Sequence, residues 1–271
     1  MARTTKKRAQ QLKHDKFRDA TMRGFDRVGD RLEGKGRAIL YGIVALVLAA
    51  VLLGIFNMWS RRRAGEASRA LGKAIEVANA PVVTGTPIPG ETGPTFPSER
   101  ERAQRAVEEF QKVAAQYGDP HRELARYFAA VNLLTVERER GLAELDGLTR
   151  SGNAEVAARS RFALAQAKEA DKDYDAALAI YGHLINDKSG VVPPDTANFR
   201  IASVYEKQGK NAEAADIFFR IADEARKAKG KDGKPAPVSA TARRAADRLQ
   251  TLDPVRYAQL PPEPSPMGDE S

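Results

Sequence analysis

The sequence predicts an all-α chain, a single N-terminal transmembrane helix followed by an α-solenoid of degenerate helical hairpins, and three observations predict it. From Ala38 to Ser60 the run AILYGIVALVLAAVLLGIFNMWS carries no charged residue. Beyond residue 64 the chain is rich in Ala, Leu, Glu, Lys and Arg, with almost none of the period-two alternation that marks strands. Within that region small and apolar residues recur in groups offset by 35, 36 and 37 positions. An offset of that size is the mark of a stacked repeat.

The first element is a basic tail, residues 1–37, with 12 Lys/Arg against 5 Asp/Glu, a net of +7. Phe17, Thr21, Phe25, Val28 and Leu32 follow one another at steps of three and four. This is one stripe of an amphipathic helix, basic on balance, and suited to anionic lipid headgroups over residues 17–37. A solvated tail that only sets topology fits the same residues. The first dozen residues read as disordered.

The second element is the span 38–60. At about 1.5 Å per residue it makes a helix of roughly 34 Å, enough to cross a hydrocarbon core of about 30 Å. Tyr41 and Trp59 stand near its ends, where amphipathic rings favour the headgroup layer. A cleaved signal peptide has a short charged lead and an apolar stretch of about 7–15 residues. Here 37 residues precede the stretch, and Arg61, Arg62 and Arg63 follow it. The reading is an uncleaved anchor. Six Lys/Arg lie in residues 18–37 and five in 60–79, so orientation rests mainly on the short length of the tail. A short basic tail stays in the cytoplasm while the long C-terminal part crosses, and the arginine triplet is the residue evidence against that direction.

Residues 64–271 hold 29 Lys+Arg and 31 Asp+Glu, a net of −2, so the whole-chain charge of +8 belongs to the tail and the triplet. A nucleic-acid role for the large domain loses its support. The repeats occupy 64–225. Phe128-Ala129, Gly141, Leu145 and Leu148 form one group. Leu164-Ala165, Ala177, Tyr181 and Leu184 form the next, and Ile201-Ala202, Ala214, Phe218 and Ile221 a third. Ala106, Phe110 and Val113 are the second half of an earlier unit whose first half is Ala64 to Ala78, with Leu71-Gly72 and Ile75. Between those halves PVVTGTPIPGETGPTFPSE predicts an exposed loop over 81–98. KAKGKDGKPAP reads as a flexible hinge, 238–252 as a capping helix ended by Pro254, and 253–271 as a Pro-rich tail whose last dozen residues are disordered.

The grouped residues resemble the tetratricopeptide repeat, a helix-turn-helix of about 34 residues with a large-small pair in helix A and small and aromatic residues in helix B. The third group matches best, having Tyr205 and Gly209 at the helix A tyrosine and the turn glycine. The second has Lys168 in place of that tyrosine. The short basic tail, the anchor at 38–58, the anchor-proximal Leu71-Gly72 and the phrases AVEEFQKVAAQYGDP and ELARYFAAVNLL together resemble the ancillary subunit of the SecYEG translocon and the related repeat domain of cell-division coordinators. The resemblance covers roughly residues 20–225 and departs at the 81–97 loop and at the C-terminal helix and tail. It implies a single-pass protein of the bacterial inner membrane, N-terminus cytoplasmic and repeats periplasmic, that binds the translocon, chaperones or envelope proteins. The alternative is a structural organiser acting through tail and anchor, with repeats that oligomerise.

The resemblance also implies a groove lined by helix A, at Arg126 and Ala130, Phe162 and Gln166, and Phe199 and Ser203. The Lys and Asn set that clamps carboxylate termini in chaperone-binding members is absent there. Phe162 and Phe199 suit an apolar or extended peptide. They equally suit core packing between helices. No enzyme is expected: the sequence has no phosphate-binding glycine loop, nucleophile elbow or paired-His motif. No cysteine is present, and His14, His121 and His183 stand far apart, so neither a metal site nor a cofactor is expected. Asp146, Asp171, Asp173 and Asp175 fall at turns, where aspartates cap helices.

Overall fold

The computed structural model describes residues 36–83, 93–231 and 233–264. The expected amphipathic helix at Phe17–Leu32, the lipid contact proposed for it and the first dozen residues lie outside the described residues, as does the middle of the 81–98 loop. The described residues are all-helical, with two isolated bridges and no strand. They fall in two compact units, residues 1–65 and 66–271.

In the first unit the described chain is helix α1, Gly36–Ala78, whose final stretch from Glu66 belongs to the second unit. From Tyr41 to Arg63 every residue is exposed. The apolar stretch is long enough to cross a membrane, and none of it is buried within the molecule. At its end Arg63 lies over the Trp59 ring at 4.6 Å and Arg61 Nε donates to Asn57 Oδ1 at 3.3 Å.

The second unit continues with α2 (Glu99–Gln116), α3 (His121–Val136), α4 (Arg138–Leu148), α5 (Ala154–Ala170), α6 (Tyr174–Ile185), α7 (Pro194–Lys207), α8 (Asn211–Lys227), α9 (Ala240–Leu252) and the single turn α10 (Pro254–Tyr257). From α2 onward each helix packs against the next, and α3 also meets α5 while α7 meets α9. Contacts with the next helix and the next but one are those of stacked hairpins, α3–α4, α5–α6 and α7–α8, with α9 as the following layer. Starts are fixed locally. Ser98, Asn153, Ser239 and Asp253 each accept a backbone N–H two or three residues ahead, and Pro194 begins α7, where its missing N–H costs nothing.

The packing follows the repeat. Phe110, Leu145, Tyr181 and Phe218 are fully buried. Each joins its own hairpin to the following helix A: Phe110 meets Ala125 and Ala129, Leu145 meets Val156 and Ala163, Tyr181 meets Ala197 and Val204, and Phe218 meets Ala242 and Ala245. Leu71 and Ala74 of α1 share the core of Phe110 and Val113. A Cβ on Gly141 would lie 2.8 Å from Leu134 N and 3.0 Å from Ala130 O, so α4 touches the backbone of α3 directly. Ala177 and Ala214, completely buried, hold the matching places in α6 and α8.

Three connections differ from what composition predicts. The ends of the Pro/Gly loop are tied by a parallel bridge, Val83 N–H to Phe96 O at 2.9 Å and Phe96 N–H to Pro81 O at 3.1 Å. Composition measures the chain's freedom before such bonds form. The expected hinge at 227–237, of which residue 232 lies outside the described residues, is tied by backbone bonds. Gly230 N–H reaches Lys234 O at 2.8 Å and Ala236 N–H reaches Ala228 O at 2.8 Å, with Gly233 at φ +76°, where glycine escapes the Cβ clash. The Pro-rich tail, expected to be disordered from Leu260, runs back along α8 and α9 as far as residue 264, where the described residues end. Pro254 starts α10 and does not merely end α9, and Leu260 is buried.

Candidate partner-binding surface

The six expected groove residues sit on three successive helix A elements, with different surroundings. On α3, Arg126 is exposed and pairs with Glu144 of α4 at 3.0 Å, whereas Ala130 is completely buried among Leu145, Val156 and Leu164 and offers a partner nothing to touch. On α5, Gln166 is exposed, and Phe162 is half-buried with its ring 5.9 Å from Tyr181, edge to face. On α7, Phe199 is half-buried with its ring 5.3 Å from Phe218, and the Ser203 hydroxyl donates to the Phe199 carbonyl at 2.8 Å. Phe162 and Phe199 thus do the same thing in consecutive hairpins. Each packs against the helix B aromatic and stays partly accessible. Each residue is both packed and partly exposed, so residue type alone leaves both readings open.

Among the described residues cavities open elsewhere, and none of the six residues lines the two described next. One, of about 570 Å³, lies between α4, α5 and α6 and is walled by Thr149, Arg161, Ile180, His183 and Asp187 among others. The Arg161 guanidinium in its wall is already held by Thr149 O at 2.8 Å. The other, of about 370 Å³, lies between the end of α1 and the starts of α3 and α5. There His121 Nε2 and Ser68 Oγ stand 3.0 Å apart. Among the described residues no group of three His, Asp or Glu is placed to hold a metal ion.

The strongest polar feature was not picked out from sequence. The Glu169 side chain, 1% exposed, accepts from Tyr181 Oη at 2.9 Å, Arg200 Nη2 at 2.6 Å and Lys207 Nζ at 2.7 Å. Arg200 Nε also donates to the Tyr181 hydroxyl oxygen at 3.3 Å. A buried carboxylate is tolerated only when paired and hydrogen-bonded in this way. Burial pushes the Tyr181 phenol well above its ordinary value, because desolvation disfavours phenolate, and the Glu169 charge acts in the same direction against the influence of Arg200. The signal that could have found this node is the 37-residue offset. Glu206 occupies the place of Glu169 one repeat on, and it pairs with Arg248 of α9 at 2.8 Å. Successive helix A elements are therefore stitched by a glutamate to a cation of the next.

At the C-terminal end the outer faces of α8 and α9 carry Arg226, Arg243 and the half-buried Phe219. Arg256 of α10 pairs closely with Asp216 and lies over the Phe219 ring at 5.2 Å.

No protein-family model matches the chain, and no curated protein matches it. Among solved structures it is similar to a Podosopora anserina protein of the kinesin-light-chain type with nearly identical TPR-like repeats. The TM-score is 0.43, with 15% identity over 56% of this chain and 78% of that one. A point variant of that same protein gives the same score and identity over 77% of its length. At that score the likeness carries no weight of its own, and the helical-hairpin array stands on the packing described above.

Proposed function

We propose that this chain is a membrane-anchored scaffold whose TPR-like hairpins bind protein partners beside a protein-translocation channel. On this reading the tail is cytoplasmic, α1 crosses a bacterial inner membrane, and the repeats stand in the periplasm. The observation that carries the reading is the union, in one chain, of an uncharged and wholly exposed apolar helix with an array of stacked hairpins. An apolar surface of that length is unfavourable in water and favourable in a hydrocarbon core. Stacked helical pairs present extended surfaces to peptides. The translocon as partner, and the direction of crossing, rest on the resemblance of the anchor and of AVEEFQKVAAQYGDP and ELARYFAAVNLL to the ancillary translocon subunit.

Photo-crosslinking from Gln166 and from Arg126, both exposed, tests the partner. Adducts with translocon subunits are expected, and their weakening by Phe162→Ala with Phe199→Ala is expected if the accessible ring faces form the groove. Capture unchanged in that double variant removes the groove from the proposal. Protease added to spheroplasts tests the topology. Digestion of the repeats is expected, and their protection overturns the periplasmic assignment.

A further inference from the structure

The hairpin array is closed twice at its C-terminal end. Helix α9 already buries Ala242, Ala245, Ala246 and Leu249 against α8 and completes the stack as a terminal layer does. A second cover then lies over α8 and α9, the segment from Ala258 to Pro264. Only Leu260 in it is buried, joining the cluster of Ala222, Ala246 and Leu249. The rest of its hold is two arginines. Arg226 Nη1 donates to the Pro261 carbonyl at 2.6 Å, and Arg243 Nε donates to Glu263 Oε1 at 3.0 Å. Residues 261–264 have no helical or strand bonding, and with prolines at 261, 262 and 264 they are biased to the extended polyproline conformation.

One apolar anchor, one backbone carbonyl and one carboxylate, presented by a preformed extended backbone, are the contacts by which a groove recognises a short linear peptide. The arginine fork suits both oxygen acceptors. We propose that the α8–α9 face is a peptide-binding site occupied in cis by Leu260–Glu263, and that its partner in trans is an extended segment of another protein with a leucine, following prolines and an acidic residue. This rests on the reading of the repeats as a partner-binding scaffold but uses other contacts, Arg226, Arg243 and the pocket of Leu260. The intramolecular segment competes at an effective concentration in the millimolar range, on the order of that for a short tether. The site is therefore screened from weak ligands and opens to those that outcompete the chain's own copy.

The test uses the full chain in detergent and a fluorescent peptide with the sequence of residues 253–264. The peptide is expected to bind the Leu260→Ala chain about tenfold or more tighter than the unmodified chain, because the cis occupant is weakened. The variant Pro261→Gly with Glu263→Lys changes a half-buried and an exposed position, leaves the buried cluster intact, and is expected to act in the same direction. With Leu260→Ala as background, Arg243→Glu is expected to lose the peptide, and a peptide carrying Glu263→Lys to regain it. Equal affinity for opened and unmodified chains, no binding at about millimolar peptide, or no rescue by charge reversal overturns the proposal. A concentration-dependent dimer formed by exchange of the segment also overturns it, since the occupant would then be a second copy. Phe162→Ala alone, whose ring packs in the separate cluster of Tyr181, is expected to leave peptide affinity unchanged, so failure here and failure of the crosslinking groove are separate results.

Discussion

Glu169 receives a phenol, a guanidinium and an ammonium on two oxygens, and each donor comes from a different place in the chain: Tyr181 on α6 and Arg200 and Lys207 on α7. Removing the carboxylate by Glu169→Ala leaves two cations facing a space shaped for an anion. Breaking a fully buried pair costs about 3–5 kcal/mol, but Arg200 and Lys207 keep 29% and 51% of their side chains in water, so about 2–3 kcal/mol is expected here. Urea titration of the detergent-solubilised chain checks it, and a loss below about 1 kcal/mol would show that water already shares the site. The Tyr181 phenol adds a pH dependence. Its folded-state value lies above the unfolded value of 10.0, so the folded chain holds the proton more tightly. That contribution is complete below pH 10.0 and is lost as the pH rises beyond it. Melting temperatures of the unmodified chain should therefore fall more steeply above this pH than those of Tyr181→Phe. Parallel curves would assign the alkaline loss to other groups.

The turns closing α5 and α7 show how two hairpins reach one geometry with different residues. In both, a residue in the left-handed region ends the helix with the same pair of backbone bonds. Asp173 N–H reaches Lys168 O and Lys172 N–H reaches Glu169 O in the first, while Lys210 N–H reaches Tyr205 O and Gly209 N–H reaches Glu206 O in the second. This is the Schellman arrangement. Glycine takes it freely at Gly209, φ +77°, but Lys172 does so at φ +62° at a cost of roughly 1 kcal/mol. Lys172→Gly should raise stability by about 0.5–1 kcal/mol, as read from the denaturation midpoint, and no change would mean that the lysine side chain compensates. The side chains above the turns differ in the same register, Lys168 pairing with Asp173 at 3.1 Å and Lys210 lying over Tyr205 at 5.5 Å. The opposite substitution is expected at Gly141. Alanine there gains about 1 kcal/mol in helix propensity but drives its Cβ into the backbone of Leu134, and a net loss of about 1–2 kcal/mol is expected in the same titration. The hairpins were legible because Gly141, Ala177 and Ala214 mark a steric requirement that survives divergence. The Glu169 node was not, since a lone glutamate in an alanine-rich helix looks like any solvated charge until the next repeat supplies its partners. The tail misled for a related reason: proline breaks the interior of a helix but says nothing about docking, and the burial of Leu260, with Arg226 on the Pro261 carbonyl and Arg243 on Glu263, is visible only in three dimensions.

At the scale of the molecule the apolar helix and the hairpins make opposite demands on solvent. The second unit buries its apolar residues in four clusters, whereas the stretch from Ile43 to Met58 leaves Leu46, Leu52, Leu53 and Phe56 more than 60% exposed. Among the described residues none of that apolar surface is buried within the molecule, and a bilayer is the medium that would take it. Two charges placed near the middle decide the matter, because each arginine at the centre of a spanning helix costs about 2.5–3.5 kcal/mol on insertion scales, enough to shift the inserted fraction strongly against membrane. Leu48→Arg with Leu52→Arg is therefore expected to move the chain from the carbonate-resistant membrane fraction to the soluble or degraded fraction. The same pair of substitutions at exposed helical positions of the second unit, Gln111→Arg with Glu108→Arg, should leave it in the membrane. If the unmodified chain is not in the membrane pellet, or the first double variant stays there as firmly, the reading of the apolar helix as a membrane span fails. The exposed surface would then have to be covered by protein, and the scaffold would have to be re-read as one member of a larger helical assembly.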